Sequence, residues 1–192
     1  MEREAGDART RLREAALELF SEHGYDRTTA AAIAARVGVT ERTFFRYFPD
    51  KREVLFDGEA RVRAALTVSI AQAAAGLGPM ETLFHAFRAF EPMLEGNRSY
   101  SKPRQDVIDA TPALQERELA KIAAIGEALA DALKARGVPE LAAILAAKIG
   151  MTVFVQATIA WLGDPRVSFG EHLDLGRTEL NMLVAAASPS SG

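Results

Sequence analysis

Apolar side chains recur every three or four positions at the start of the chain, and this spacing predicts a helix with one buried face. The segment runs from Ala8 to His23, and its apolar side consists of Leu12, Ala15, Ala16, Leu19 and Phe20. Gly24 follows directly, and glycine commonly ends helices. The pattern therefore predicts a first amphipathic helix that packs against other elements.

Two short helices follow this segment, with a glycine between them. Thr28 or Thr29 is suited to cap a helix over 30–36, and Thr40 is suited to cap another over 41–47. Gly38 separates the two, and its lack of a side chain suits a turn with positive φ. The segment thus predicts a helix, a tight turn and a second short helix.

The remaining chain also has helical spacing, interrupted by glycine and proline. Further helices are predicted over 51–75, 80–95, 105–109, 112–136, 139–162 and 169–187. We expect the polar stretch GNRSYSKPR before residue 105 to be a loop and SPSSG at 188–192 to be a frayed tail. No convincing alternation of β-branched residues predicts a strand, so the predicted fold class is all-α.

Composition narrows the class of protein. The 192 residues suffice for one large domain or two small ones, and the absence of cysteine excludes disulfides and thiolate metal sites. Apolar runs are broken by charge or glycine short of the ~18 residues of a membrane span. The N-terminus has no apolar signal core. We therefore expect a cytoplasmic protein that does not enter a membrane.

Charge is distributed unevenly along the chain. The net charge is −3, yet residues 27–52 carry six basic and two acidic side chains, a net of +4 that leaves −7 for the rest. Phosphate binding requires a local basic surface and not a basic protein. This asymmetry is compatible with nucleic-acid binding, although acidic proteins often have a basic patch.

The short-helix pair has the spacing of a helix-turn-helix. Ala34 and Gly38 stand where such a motif needs a small contact residue and a chain reversal. Val39, Phe44 and Phe48 are spaced to pack inward. The positions left outward are Thr40, Glu41, Arg42, Thr43, Arg46 and Tyr47. Arginine can bind O6 and N7 of guanine together, and the threonine methyl can contact that of thymine.

Residues 11–56 resemble the DNA-binding domain of the tetracycline-repressor (TetR/AcrR) family. The resemblance rests on A-x-x-L-F-x-x-x-G-Y at 16–25, then T-T, then I-A-x-x-x-G-V-T, then F-F-R-Y-F-P-x-K ending at 51. It implies a homodimeric regulator with a three-helix DNA-binding domain over 1–50, joined by a helix over about 51–75 to an effector-binding and dimerisation domain within 51–192. Repression is the commoner outcome in that family.

Carried over by position, the resemblance assigns contacts to operator DNA. Thr29 would contact a phosphate, and Tyr47 and Lys51 would hold the DNA backbone. Thr40, Arg42 and Thr43 would face bases, with Arg46 beside them. Two residues depart from the family's frequent choices: Arg42 replaces a small residue and adds a possible base contact, and Phe45 replaces a tyrosine.

The second half predicts a ligand pocket, as the resemblance also implies. Helical spacing places aromatic and methionine side chains on two stripes. The candidate lining residues are Phe84, Phe87, Arg88, Tyr100, Arg104, Met151, Phe154, Thr158 and Trp161. The alternative for each of these residues is plain core packing. An apolar or aromatic small-molecule effector fits this lining best.

The last two long helices are the candidate dimer interface. The segment AAILAAKIGMTVFVQATIAWL is too apolar to be exposed on both sides, and Ala146, Ala147, Gly150 and Ala157 would permit close helix approach. Leu173, Leu180, Leu183 and Val184 offer a matching face. The resemblance implies a four-helix bundle across a twofold axis, whereas a monomer core is the alternative.

Enzymatic function is not indicated. The three histidines are far apart, none has metal-ligand spacing, and no G-x-S-x-G nucleophile motif occurs. We therefore expect no catalytic residue, no metal site and no cofactor. The sequence favours a DNA-binding regulator, with a small-molecule-binding helical protein that lacks DNA activity as the alternative.

Overall fold

The protein consists of helices joined by turns and short loops over residues 2–187, which are the residues that the computed structural model describes. In chain order the α-helices are α1 (Glu2–His23), α2 (Ala30–Arg36), α3 (Glu41–Tyr47), α4 (Glu59–Gln72), α5 (Pro79–Glu95), α6 (Arg98–Asp109), α7 (Pro112–Ala135), α8 (Glu140–Gly163) and α9 (Phe169–Ala187). A 3-10 helix, Arg52–Leu55, lies between α3 and α4. The all-α prediction is confirmed; the predicted tail at 188–192 lies outside the described residues.

The chain forms two compact units. Unit 1 consists of residues up to 60 together with 100–119, and unit 2 consists of 61–99 together with the residues from 120 onward. The predicted division into 1–50 and 51–192 concerns function and stays a prediction. The compact units are drawn differently, because unit 1 also includes 51–60 and a part of α6 and α7.

The core of unit 1 is built from α1, α2 and α3. Leu12 and Phe20 of α1, Ile33 of α2, and Phe44 and Phe48 of α3 are almost fully buried. The 3-10 helix, α6 and α7 extend this core with Val54, Leu55, Phe56, Val107, Ile108 and Leu114. The amphipathic pattern of the first helix is thereby explained, since its apolar stripe faces these residues.

The predicted continuous helix over 51–75 is wrong. Asp50 caps the backbone N–H of Glu53 at 3.0 Å, but the turn that begins there is a short 3-10 helix. Val54, Leu55 and Phe56 are all buried. Three consecutive residues cannot all face one side of an α-helix, because each advances by about 100°. The regular helix α4 therefore begins only after Gly58.

The predicted loop before residue 105 is also wrong, because helix α6 starts at Arg98. The segment is mostly polar, but it contains residues with the i, i+4, i+7, i+8 spacing of one helix face, namely Tyr100, Arg104, Val107 and Ile108. Val107 and Ile108 are buried, and Tyr100 packs against the same core. Tertiary contacts on one face therefore stabilise a helix whose residues have weak intrinsic preference for it.

Two arginines hold Phe56 between them in unit 1. The guanidinium carbons of Arg104 and Arg117 lie 5.0 and 4.6 Å from the centre of the Phe56 ring. Arg117 also forms ion pairs with Glu53 and Glu59 at 2.8 Å each. These contacts fix the start of α4 against α7.

The core of unit 2 is formed mainly by α5, α8 and α9. Helix α8 contributes ten buried residues, and its Gly150 allows close approach of α5, because a Cβ there would lie 3.0 Å from Leu83 Cδ1. The small residues of α8 thus serve packing within the unit. Helix α8 is also long and apolar enough to cross a membrane by length and composition alone, a weak criterion that buried core helices meet as well.

Gly38 is expected to be the most sensitive glycine of the helix-turn-helix. Its φ is +74°, and a Cβ there would meet nothing within 4 Å, so an alanine is opposed by backbone strain alone. Gly38→Ala should lower the free energy of unfolding by about 1–2 kcal/mol. Gly58→Ala is the control. Gly58 does not have a positive φ, and a Cβ there would also meet nothing within 4 Å. Denaturant unfolding measures both, and equal stabilities of the two variants would contradict the assignment.

Candidate nucleic-acid interface

The turn between α2 and α3 places α3 on the surface of unit 1. Gly38 has a positive φ, and the backbone N–H of Val39 donates to Ala34 O at 3.0 Å, which closes the turn. Ala34 is almost completely buried where the helices meet. Helix α3 then begins at Thr40, whose Oγ1 accepts from the backbone N–H of Thr43 at 3.2 Å. The predicted helix-turn-helix geometry and Thr40 cap are confirmed.

The inner face of α3 is aromatic. Phe44 and Phe48 are buried with ring centroids 5.4 Å apart, and Val39 is half-buried beside them. Since these side chains hold the helix from behind, its opposite face is left to solvent. The predicted inner side of α3 is therefore confirmed.

The outer face of α3 displays both charge and an aromatic ring. Arg42 and Arg46 are exposed, as are Thr40 and Glu41, whereas Thr43 and Tyr47 are half-buried. The Arg46 guanidinium lies over the Tyr47 ring at 5.0 Å and donates to its hydroxyl at 3.2 Å. Within the part of the chain that the structure describes, the Arg42 guanidinium has no ion-pair partner.

Phe45 is the outer-face residue that sequence reasoning left without a role. It is 48% exposed, although it packs edge-on against the buried ring of Phe44 at 5.4 Å. About half of its apolar side chain therefore faces water. Its position on the same face as Arg42 is the signal that marks it as a candidate contact, since the C5-methyl group of thymine is an apolar target in the major groove.

Most of the other basic residues between 27 and 52 already have partners. Arg36 forms ion pairs with Glu18 and Glu22 at 3.2 and 3.3 Å, and Arg52 pairs with Asp50 at 3.4 Å. Arg27 donates to the carbonyl of His23 at 2.7 Å. Carboxylates thus offset Arg36 and Arg52, whereas Arg42 and Arg46 of α3 are exposed and form no ion pair with a described carboxylate.

The two remaining predicted phosphate contacts differ in their surroundings. Thr29 is exposed, and its Oγ1 accepts from Ala32 N at 3.1 Å as the cap of α2, which leaves its hydroxyl hydrogen available. Lys51 instead donates to the carbonyls of Tyr25 and Thr28, at 2.7 and 2.9 Å. Burial lowers the pKa of the Lys51 ammonium from its ordinary value, and Asp26 opposes that shift.

The apolar members of the predicted effector site are brought together in unit 2. Phe87 lies 4.9 Å from Phe154, Phe154 lies 5.3 Å from Phe169, and Phe169 lies 6.4 Å from Trp161, centroid to centroid. Phe84 and Met151 are buried in the same cluster. Thr158 donates to Phe154 O at 2.8 Å, within its own helix. We call Phe84, Phe87, Phe90, Phe154, Trp161 and Phe169 the aromatic cluster.

The predicted polar members are held elsewhere. Arg88 is exposed and pairs with Asp174 and Glu91, and the hydrogen bond with Asp174 raises its pKa. Tyr100 and Arg104 belong to unit 1. There Tyr100 stacks with Arg13, while Arg104 donates to the carbonyl of Leu55 at 2.6 Å and pairs with Glu118 at 2.7 Å. Their part in effector binding stays a prediction.

Helices α8 and α9 leave apolar side chains exposed. Leu141, Leu145, Ile149 and Ile159 on α8, and Leu175, Met182, Leu183 and Val184 on α9, are the exposed members of this apolar face. Leu173 is not among them, because it is buried in the core of unit 2. A groove lined by Met80, Ile149, Leu180, Asn181, Val184 and Ala185 runs along the same helices.

Comparison with known proteins assigns both halves of the chain. Residues 12–57 match the model of bacterial regulatory proteins of the tetR family, and residues 77–184 match that of the MftR C-terminal domain. The regulator TcmR of Streptomyces glaucescens is 40% identical over 81 residues, a match that spans 42% of this chain and 36% of TcmR. MftR of Mycobacterium tuberculosis, described as a mycofactocin biosynthesis transcriptional regulator, is 26% identical over 84% of this chain and 83% of its own.

Solved structures agree with this assignment. The Thermus thermophilus repressor FadR, determined in complex with lauroyl-CoA, is 26% identical with a TM-score of 0.53 and covers 96% of this chain and 99% of its own. The SmeT–triclosan complex, 18% identical, has the same fold with a TM-score of 0.59 and covers 90% of this chain and 91% of its own. The second family model matches more than half of the chain. The chain therefore belongs to the tetR family of transcriptional regulators and carries an MftR-type C-terminal domain.

Proposed function

We propose that the protein is a homodimeric repressor that binds a palindromic operator and is released from it by a small-molecule effector. The observation that carries this proposal is the outer face of α3, where two exposed arginines and an exposed phenylalanine stand on a helix braced from behind. A short exposed helix of this kind fits the DNA major groove. We place the protein in the cytoplasm, where such an operator is accessible.

The DNA-contacting residues divide by chemistry. Arg42 is exposed without an ion-pair partner among the described residues and is the proposed guanine contact, with Arg46 beside it. The methyl groups of Thr40 and Thr43 and the ring of Phe45 supply apolar contacts to thymine. Thr29 and Tyr47 donate to phosphates and set the position of the helix on the duplex. Ala31 and Ala32 of α2 carry no group that could bind a base by hydrogen bonds.

A second copy of the chain is the proposed cover of the apolar face on α8 and α9. Large contiguous apolar patches on a protein surface mark interaction sites. A twofold interface pairs each helix with its own copy, and two DNA-binding units can then meet half-sites about one helical turn apart. The family resemblance implies that the two α8 and two α9 helices would form a four-helix bundle across this axis.

The aromatic cluster of unit 2 is the proposed effector site, and it favours an apolar or aromatic small molecule. Its rings offer large apolar area and few polar groups. Within the described residues, Trp161 Nε1 is buried without a hydrogen-bond acceptor, so an effector with one acceptor atom would satisfy it. The lauroyl-CoA bound by FadR supports an effector with a long apolar portion.

The repressor leaves its operator if effector and operator favour different arrangements of the dimer. Helix α4 is proposed to connect effector binding to the DNA-binding helices. Glu59, the first residue of α4, pairs with Arg117, and Arg136 donates to the carbonyls of Ala73 and Ala74 just beyond its end, each at 2.8 Å. The coupling must be reciprocal, because effector weakens operator binding by the same factor by which operator weakens effector binding.

Selection of bound sequences from random duplex DNA tests the function as a whole. A repressor dimer enriches a palindrome, and its affinity falls steeply with salt because phosphate contacts release counterions. A helical small-molecule-binding protein without DNA activity enriches nothing. Salt-insensitive binding, or no enrichment by the pure protein, would exclude the proposed function.

Arg42→Ala should weaken binding to the selected duplex by ~1–3 kcal/mol and relax base preference at one position of each half-site. The guanidinium is the proposed bidentate partner of guanine, so its loss removes discrimination as well as affinity. Arg166→Ala is the control, because Arg166 is exposed in unit 2 and pairs with its near neighbour Asp164. Fluorescence anisotropy and repeated selection measure both effects; an unchanged consensus would contradict the role of Arg42.

Leu145→Asp should convert the dimer into a monomer of about 20.7 kDa. Leu145 is 49% exposed on the apolar face, and a buried, unpaired carboxylate would oppose association strongly. Leu119→Asp is the matched control, since Leu119 is 67% exposed but lies on α7. Light scattering coupled to size exclusion measures the mass. A dimer that persists in Leu145→Asp would place the interface elsewhere.

The emission of Trp161 should report effector binding directly. Trp161 is the only tryptophan of the chain, and it is fully buried in the aromatic cluster. A molecule that enters the cluster changes the surroundings of the indole, so titration with lauroyl-CoA and a panel of aromatic compounds should give a saturable change. Trp161→Phe removes the signal and serves as control. Calorimetric binding with unchanged emission would locate the site outside the cluster.

A further inference from the structure

One acidic side chain lies on the surface by which α3 is proposed to bind DNA. Glu41 is the first residue of α3 and directly precedes Arg42, and both side chains are exposed. Within the described residues the Glu41 carboxylate forms no ion pair and no hydrogen bond. Asp50, the other acidic residue between 27 and 52, pairs with Arg52 and caps the backbone N–H of Glu53. Glu41 is thus the anion of this segment that has no described partner.

The Glu41 side chain stands at the leading end of α3. The Cα–Cβ bonds of a helix tilt toward its N-terminus, so a side chain on the first residue extends past the start of the helix. In a helix-turn-helix the N-terminal residues of the second helix contact base edges in the major groove. Phe45, the proposed thymine contact, lies one turn further along the same flank of α3. The carboxylate therefore stands among the side chains proposed to reach bases.

The chemistry of a carboxylate restricts the base that it can bind. An ionised carboxylate accepts hydrogen bonds and cannot donate them. In the major groove the only donors are the N6 amino group of adenine and the N4 amino group of cytosine. Adenine presents its N7 acceptor beside N6, and the lone pair of N7 would repel a carboxylate, whereas cytosine presents no acceptor on its own edge. Cytosine is therefore the base that Glu41 fits best.

The proposed guanine contact of Arg42 favours a cytosine close by. A carboxylate that enters the groove is repelled by the phosphates, and this repulsion must be offset. A guanidinium bound to O6 and N7 of guanine brings a positive charge to the groove floor. Because Glu41 and Arg42 are consecutive residues, that charge would lie beside the Glu41 carboxylate. The favoured cytosine is consequently the pairing partner of this guanine or belongs to an adjacent base pair.

We propose that Glu41 is a specificity-determining residue that accepts a hydrogen bond from the N4 amino group of a cytosine, in the same base pair as the guanine bound by Arg42 or in an adjacent one. This inference rests on the proposed DNA-binding function and assigns a second base of each half-site. It concerns a residue to which neither the family resemblance nor the exposed cations of α3 give a role.

Repeated selection from random duplex DNA with Glu41→Gln provides the first test. A glutamine side chain has both a donor and an acceptor, and it binds N6 and N7 of adenine together. The wild type should select a cytosine at the proposed position, and Glu41→Gln should replace it by adenine while the guanine assigned to Arg42 is kept. A consensus that keeps its cytosine in Glu41→Gln, or a wild-type palindrome without a cytosine at this place, would overturn the inference.

A modified duplex tests the same contact without changing the protein. N4-methylcytosine still pairs with guanine, but its methyl group occupies the groove side of the amino group. Placed at the selected cytosine, it should weaken binding of the wild type about tenfold, which is the loss expected for one base contact. Glu41→Gln on the same duplex should show no such loss, because it does not use this amino group. Equal losses in the two proteins would contradict a contact between Glu41 and N4.

Glu41→Asp separates base recognition from the effects of charge alone. Aspartate keeps the negative charge at the start of α3, where it also interacts favourably with the helix dipole, but its carboxylate is one methylene nearer the backbone. We expect Glu41→Asp to lose about tenfold in preference for cytosine, with a melting temperature within about 2 °C of the wild type. Full preference for cytosine in Glu41→Asp, or a loss on all sequences together with a lower melting temperature, would show a structural role instead.

Glu14→Gln is the matched control for net charge. Glu14 is exposed on α1 in the same unit, so this variant removes the same charge away from α3. Its selected sequence should equal that of the wild type. If Glu41→Gln and Glu14→Gln both strengthen binding to every sequence alike, Glu41 only repels phosphates and the inference fails. A wild type that selects no duplex contradicts the DNA-binding function and this inference with it, whereas a palindrome without the cytosine contradicts this inference alone.

Discussion

Burial of Phe44 and Phe48 is the constraint on which the surface of this protein depends. Helix α3 has only seven residues, and a helix of that length is unstable alone. It persists because its aromatic side packs against α1 and α2, with Thr40 capping its start and Gly38 reversing the chain before it. Since stability comes from the inner side, residues on the outer side can differ without loss of the fold. Arg42 and Phe45 occupy positions that are free in this sense.

Ion pairing distinguishes the cations on the surface around α3 from one another. The basic segment between residues 27 and 52 looks uniform in sequence, yet most of its cations pair with carboxylates or carbonyls. An arginine paired with a carboxylate contributes little to the field at a distance, whereas a cation bonded to a neutral carbonyl keeps its full charge. The arginines of α3 are therefore exposed cations that form no ion pair with a described carboxylate. In unit 2 the candidate interaction surface is apolar and not charged. Its exposed side chains on α8 and α9 are apolar, and its aromatic side chains are buried together.

Most helices of the protein could be predicted from local signals, and the failures have physical causes. Thr29 and Thr40 were identifiable as caps because an N-cap needs only a side-chain oxygen in the right place. The break before α4 could not be predicted from local signals, because it depends on the simultaneous burial of Val54, Leu55 and Phe56. Helix α6 was missed because packing, and not propensity, stabilises it. In the candidate sites, spacing put Phe84 and Trp161 on separate helices, and only packing brings both into the core of unit 2, whereas Arg104 pairs within unit 1.

The sequence by itself determined the helical class, the helix-turn-helix and the family, because periodicity, caps and glycine positions act over a few residues. Only the tertiary structure decided which side chains are free to act. Arg36 and Arg42 are the same amino acid six positions apart, but carboxylates on α1 neutralise the first and nothing described opposes the second. Lys51 matches a family motif, and the carbonyls that accept from its ammonium precede it by more than twenty residues. Partners of this kind are set by packing between distant segments, which local sequence does not encode.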